Sequence, residues 1–231
     1  MKRPNSILIG FAAFGLLTLT AMTGRADDTS ASTNAITAPS LSPYQPFTIG
    51  VEAGTTGAGG AANWRFSNHF GVGGGFDYFR YSYSGTIEDI NFDARLRLMS
   101  EPATLDLYPW KRSSFHISVG ALFNQNHLTG TANGTITING TTYNNTTATL
   151  DIKQQVVDPY VGIGGNLYFD RGHHVSLGGE LGVAYTGDPR VSFNMPAATP
   201  QDQQYEQNKI HSYARDVQFW PVIKVSLNYS F

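Results

Sequence analysis

The stretch VQFWPVIKVSLNYSF, from Val217 to Phe231, alternates apolar and polar residues with almost no error and stops on an aromatic residue. Odd positions carry Val217, Phe219, Pro221, Ile223, Val225, Leu227, Tyr229 and Phe231; even positions carry Gln218, Trp220, Val222, Lys224, Ser226, Asn228 and Ser230. Successive side chains of a strand point to opposite faces, so this segment has one greasy face and one polar face. A terminal aromatic residue on the greasy face suits a barrel strand that finishes at a membrane interface.

The other end of the chain points the same way. Lys2 and Arg3 precede an apolar run from Ile7 to Leu19, and Gly24-Arg25-Ala26 places small residues where a signal peptidase cuts. Residues 1–26 are therefore expected to be a cleaved secretory signal peptide, since the run is short for a membrane-spanning helix. Residues 27–45, rich in Ser, Thr, Ala and Pro, form an expected flexible lead-in, and residues 46–231 the folded unit. The mature part has no second long apolar run, so any crossing of a membrane falls to strands.

The chain holds 15 basic and 17 acidic residues. Three of the basic ones and none of the acidic ones lie in residues 1–26, which leaves 12 against 17, a net charge of −5. Nothing here resembles the basic footprint of a nucleic-acid-binding surface. The absence of cysteine excludes disulfides and thiolate metal sites. His173-His174 are neighbours on a strand and face opposite ways, so no metal site is assigned, and no cofactor is expected.

Period-2 runs bounded by turn signals number eight: Pro46 to Gly54, Ala58 to Phe66, Phe70 to Tyr83, Glu88 to Tyr108, Ser114 to Leu128, Thr149 to Phe169, His173 to Thr186 and Asp216 to Phe231. Turns at Ser67-Asn68-His69, Pro109 to Ser113 and Asp170-Arg171-Gly172 are short, whereas 129–148 and 187–215 are long, the asymmetry of outer-membrane barrels. Seven of the eight strand ends on the short-turn side carry an aromatic residue: Phe47, Phe66, Phe70, Trp110, Phe115, Phe169 and Phe231. Such a girdle marks a lipid interface. The fold class that follows is all-β, an eight-stranded antiparallel transmembrane β-barrel; a soluble sandwich or lipocalin-like barrel is the competing reading.

Four blocks carry a family resemblance. Val51-Glu52-Ala53-Gly54-Thr55-Thr56-Gly57, Asp158-Pro159-Tyr160-Val161-Gly162, Gly182-Val183-Ala184-Tyr185 with Gly187-Asp188-Pro189-Arg190-Val191, and Trp220-Pro221-Val222 resemble the CarO-type small outer-membrane channels, and more broadly the OmpA- and OmpW-like barrels. The resemblance implies a narrow channel for small hydrophilic solutes, among them cationic or zwitterionic amino acids, in the outer membrane of a Gram-negative bacterium. It also implies outer-membrane lipid and the barrel-insertion machinery as partners, the latter reading the C-terminal signal of Tyr229 and Phe231.

The inward face is expected to carry Glu52, Arg65, Asp77, Arg95, Arg97, Asp106, His116, Glu180 and Lys224 among many glycines. Placing Arg95 and Arg97 inward requires a parity slip near Pro102, which turns Ile90, Phe92, Ala94, Leu96 and Leu98 outward; a second slip is expected between Ile152 and Val157, beside Pro159. The lumen charges then nearly cancel, and Lys224 is expected to pair with Glu52 and Glu180 on the adjoining strands. An eight-stranded barrel is just wide enough to fill with side chains, so a plugged, non-conducting structural or adhesin-like surface barrel is the alternative to a channel. No triad spacing supports catalysis: His127 and His211, the latter next to Ser212, fall near the long-loop rim without an orienting partner in sequence, and no enzyme is expected.

Overall fold

The computed structural model describes residues 45–231 apart from 88, 89, 171, 216 and 217. The expected signal peptide, nearly all of the lead-in, the strand starts at Glu88, Asp216 and Val217, and the turn residue Arg171 lie outside the described residues. The elements are β1 (Phe47–Gly54), β2 (Gly57–Trp64), β3 (Phe70–Ile87), β4 (Ile90–Leu107), β5 (His116–Asn124), β6 (His127–Ile138), β7 (Thr141–Lys153), β8 (Val157–Tyr168), β9 (Val175–Tyr185), β10 (Arg190–Asn194), a helix α1 (Pro200–Arg215) and β11 (Phe219–Ser230).

Eight of the strands close a ring. The antiparallel pairings run β1 to β2, β3, β4, β5, β8, β9 and β11, and β11 returns to β1 through Thr48↔Ser230 to Gly54↔Lys224. Closure removes every sheet edge from the barrel wall. At the seam the terminal residue takes part: Phe231 N–H donates to the Phe47 carbonyl at 2.8 Å, and Phe47 N–H to that of Phe231 at 3.2 Å.

Outside, the barrel wears the expected apolar coat. Ile49, Val51, Val72, Leu105, Val119, Val161, Ile163, Leu181, Val225 and Leu227 are all exposed, the apolar outer band characteristic of barrels that sit in lipid. Around the end that holds the chain termini, Phe47 stacks on Trp64 and Phe231, Trp64 meets Phe66, and Trp110 tilts against Phe115. The one strand without an aromatic residue at this rim borrows a ring, because His174 stacks on Tyr229 with centroids 5.7 Å apart.

The opposite end differs from the sequence reading. Two expected long strands are each two: the chain bends at Gln125-Asn126 between β5 and β6, and at Gln154 to Val156 between β7 and β8. The slip expected near Ile152 is this bend, where the chain leaves one sheet position for another. The third loop is mostly the hairpin β6–β7, turning at Asn139-Gly140, whose φ of 50° and 82° suit a two-residue turn with both centres left-handed. The last long loop holds β10 and α1. Thr199 caps that helix, its hydroxyl accepting from Asp202 N–H at 3.2 Å, with Pro200 in the first turn.

No slip occurs near Pro102. The register of β3 and β4 is unbroken from Phe70↔Leu107 to Ile87↔Ile90, so the even positions of β4 stay on one face throughout. That face passes from Asp106, Thr104 and Ser100 in the lumen to Leu98, Ala94, Phe92 and Ile90 above it. Beyond the barrel, β3, β4, β6, β7 and β10 continue as a projecting sheet. Its inner face and α1 enclose an apolar core of Ile90, Phe92, Ala132, Ile136, Ile138, Leu150, Phe193, Met195 and Ile210.

Candidate functional site: the lumen

Inward positions on the barrel strands are small or polar, and the long polar side chains pair across the ring. Lys224 on β11 is buried between two carboxylates, with Nζ 2.7 Å from Glu52 Oε1 and 2.8 Å from Asp77 Oδ2. Thr56 Oγ1 adds a hydrogen bond of 2.7 Å to the same Asp77 oxygen. A buried lysine retains its charge when held this way. Glu180 lies directly across from Lys224 in register, yet its carboxylate accepts instead from the Tyr160 hydroxyl at 2.5 Å. The expected Lys224 pairing thus holds for Glu52, while Asp77 takes the place given to Glu180, because Tyr160 reaches Glu180 from the other side.

Lower in the barrel Asp106 accepts from Asn63 Nδ2 at 2.5 Å and from Ser118 Oγ at 2.6 Å. Arg65 lies over the Tyr108 ring, 3.9 Å from its centroid, and donates to the carbonyls of Asn68, Lys111 and Ser113. These contacts hold it at the turn side of the barrel. His116 Nδ1 meets the Ser114 carbonyl at 2.9 Å, and its ring lies against Tyr108.

Arg95 and Arg97 are not in the lumen. Both are exposed on the outer face of the projecting sheet, a correction that follows directly from the unbroken β3–β4 register. Without them the inward charges do not cancel. Glu52, Asp77, Asp106, Asp158 and Glu180 face inward against Lys224 and Arg65, and Lys111 and Arg112 line the rim of the same cavity, so the bore as a whole is only slightly acidic.

A cavity of about 160 Å³ occupies the half of the lumen toward the terminal rim. Its walls run from Gln45, Lys111 and His173 at the rim, past Glu52, Arg65, Asp106, His116 and Glu180, to Leu122, Val222 and Lys224. There it stops. Leu122, Tyr160, Ala184 and Val222 form a small buried apolar cluster, with Trp220 packed against it. Beyond it lies a cavity of only about 10 Å³, lined by Thr56, Asn124, Asp158 and Trp220 among others; Leu122 belongs to the walls of both. Tyr160 can lie across the bore because Gly162 and Gly182 flank it: a Cβ at either would collide with its hydroxyl.

Sequence reasoning missed this plug, along with Tyr108 and Tyr160. The signal was present as a violation of face: Leu122 on β5, and Trp220 and Val222 on β11, are apolar at inward parity while the remaining inward residues of these strands are small or polar. The rim residues named for possible catalysis stay apart in role. His127 Nε2 meets Asp151 at 2.6 Å on the projecting sheet, and Ser212 Oγ donates to its own helix at the Lys209 carbonyl. Among the described residues no cluster of His, Asp and Glu could hold a metal.

No family model and no curated protein matches this chain. Solved structures do. Crystal structures of CarO2 and CarO from Acinetobacter baumannii, 22% and 21% identical, match over 81% and 80% of this chain and 99% and 98% of theirs, with TM-scores of 0.58 and 0.57. The fold expected from the four sequence blocks is thereby borne out: this chain has the eight-stranded barrel of CarO.

Proposed function

We propose that the chain is an outer-membrane barrel of a Gram-negative bacterium, and that its lumen is a narrow, normally shut passage for small hydrophilic solutes. What supports the reading above all is the position of the plug. A polar vestibule of about 160 Å³, lined by charges of both signs, ends at a barrier built from the side chains of Leu122, Tyr160, Ala184 and Val222, with a second polar pocket on its far side. Thin apolar constrictions between wetted chambers gate by excluding water, and rotation of Tyr160 and Trp220 side chains is the smallest change that joins the two chambers.

The slight acidic excess of the bore as a whole gives a mild preference for cations, and the mixed charges of Glu52, Glu180, Arg65 and Lys224 in its wall suit zwitterions such as amino acids. The reading assigns no reaction and no cofactor. In planar bilayers the folded chain should show brief, small, cation-selective openings, read from the reversal potential across a salt gradient; anion selectivity would refute the charge assignment.

One observation favours a second reading, a non-conducting surface barrel. The end beyond the plug is extended by a folded sheet and helix with their own core, the kind of platform that meets partners. Complete electrical silence of a correctly folded barrel would select it.

Assembly belongs to the same proposal. Tyr229 and Phe231 are exposed on the outer face and Phe231 closes the seam with Phe47, which supports reading them as a signal for the insertion machinery. Deleting Phe231 should lower membrane insertion more than synthesis; equal insertion of the shortened chain would remove that role.

A further inference from the structure

The outer face of the projecting sheet carries a row of cations that the lumen reading does not use. Register places Arg80 opposite Arg97, Arg97 opposite His127, His127 opposite Lys153, and Lys153 opposite Arg190, one residue from each of β3, β4, β6, β7 and β10. Directly paired residues share a face, so this is one transverse belt across five strands. Arg95 stands two residues beyond Arg97 on the same face.

The belt is out of balance electrically. Asp151 serves its middle, meeting His127 at 2.6 Å and Lys153 at 3.4 Å. Asp93 and Glu101 are also exposed on the outer face of β4, but no carboxylate of the described residues comes within ion-pair distance of Arg80, Arg95, Arg97 or Arg190. Arg80 and Arg97 face each other without an acid between them, an arrangement that costs stability in a bare sheet and that a bound anion would relieve.

Its depth is as informative as its charge. The outward apolar surface ends at Tyr78 on β3, Phe123 on β5, Val157 on β8 and Tyr185 on β9, all exposed. Arg80 follows Tyr78 on the same face two residues on, a rise of about 7 Å. The headgroup layer begins where the hydrocarbon ends and is about 5 to 7 Å deep on each side. A guanidinium there meets phosphate, whose paired oxygens it grips through two parallel hydrogen bonds.

We propose that this belt is a docking surface for phosphate-bearing lipid headgroups of the leaflet on the projecting side, with Arg80, Arg95 and Arg97 as the anion-holding cluster. The surface orients the barrel in its membrane and holds a shell of anionic lipid whether or not the lumen conducts.

The test uses the full chain in neutral detergent, titrated with diphosphorylated lipid A and followed by native mass spectrometry. Substituting the cluster (Arg80→Gln, Arg95→Gln and Arg97→Gln together) should weaken lipid A retention about tenfold or more, since each basic residue near a charged surface adds a comparable increment. A control with Lys209→Gln and Arg215→Gln, on the helix and away from the belt, should leave retention within about twofold, well short of that increment. The heat-dependent gel shift of a closed barrel should persist in both variants, as all five side chains lie outside the cores. Equal losses in the two variants, no retention by the native chain, or displacement of the lipid by an equal concentration of inorganic phosphate would each overturn the proposal, the last by showing a free-anion site instead.

Discussion

Strand β4 belongs to two regions with opposite insides. Within the barrel its even residues Asp106, Thr104 and Ser100 face a polar bore while Leu105 and Leu107 face outward and are exposed; farther along, its even residues Leu98, Ala94, Phe92 and Ile90 are buried, the last two in the apolar core under the helix, while Arg97, Arg95 and Asp93 are exposed. Register does not change between them. What changes is the solvent. A barrel in lipid turns its apolar residues outward and fills its interior with polar ones, whereas a sheet in water does the reverse. On the proposed outer-membrane reading, the point on the strand where the two patterns exchange, between Leu98 and Glu101, is where the chain leaves the membrane.

That contrast makes the two regions separable, and the largest expected effect lies in the projecting one. Ile136 is fully buried in the core under α1. Ile136→Asp puts an unpaired charge there and should cost roughly 4 kcal/mol or more. Limited proteolysis should then cut within residues 127–215 while the barrel keeps its heat-dependent gel shift. Loss of the barrel as well would show that the regions fold as one.

In the lumen the corresponding break is Lys224→Met, which strands Glu52 and Asp77 as neighbouring carboxylates. It should cost about 3 to 5 kcal/mol, the usual penalty for removing one partner of a buried pair. Adding Glu52→Gln should recover part of that. The urea midpoint of barrel unfolding reads both, and an unchanged midpoint in the single variant would show that the triad contributes nothing.

A smaller effect separates the regions by pH. In α1 the Asp202 carboxyl is held below its ordinary value of 3.8, first by the Tyr143 hydroxyl at 2.6 Å and then by Asn139. Glu206, buried on the sheet side of the helix, is pushed above its ordinary 4.5 by desolvation, against the pull of Lys209. A raised carboxyl favours the folded state once protonated, so docking of α1 strengthens as pH falls through the raised value of Glu206. A lowered one favours it while ionised, so docking weakens again as pH falls through the lowered value of Asp202. Protease protection of α1 should therefore peak in mild acid near pH 4 (between the two ordinary values) and should lose its rise on the neutral side in Glu206→Gln. A flat profile in the native chain would contradict this account of the helix.

How far the sequence reached follows from the same contrast. In the barrel, period-2 alternation has one meaning, so the eight-strand pattern, the outward face and the aromatic rim at Phe47, Phe66, Phe70 and Phe231 were legible. Past Glu101 the alternation continues with its meaning inverted. Keeping the lipid rule there forces an imaginary slip at Pro102 and sends Arg95 and Arg97 into the lumen. The helix at Pro200 was hidden for another reason: its face is mostly polar, and only the cap Thr199-Pro200 announced it. Glu52 and Lys224 were recoverable from adjacency of strands one and eight, but Asp77 was not, because it reaches Lys224 from the third strand across the narrow bore.

The central claim is that the bore is slightly acidic overall and shut by an apolar layer. Single-channel recording of Leu122→Ala beside the native chain tests it most directly. Leu122 lines both cavities, so removing its side chain should join them and turn rare, brief openings into long, cation-selective ones, with the barrel still folded. Native and Leu122→Ala chains that are equally silent, equally conductive or anion-selective would contradict it.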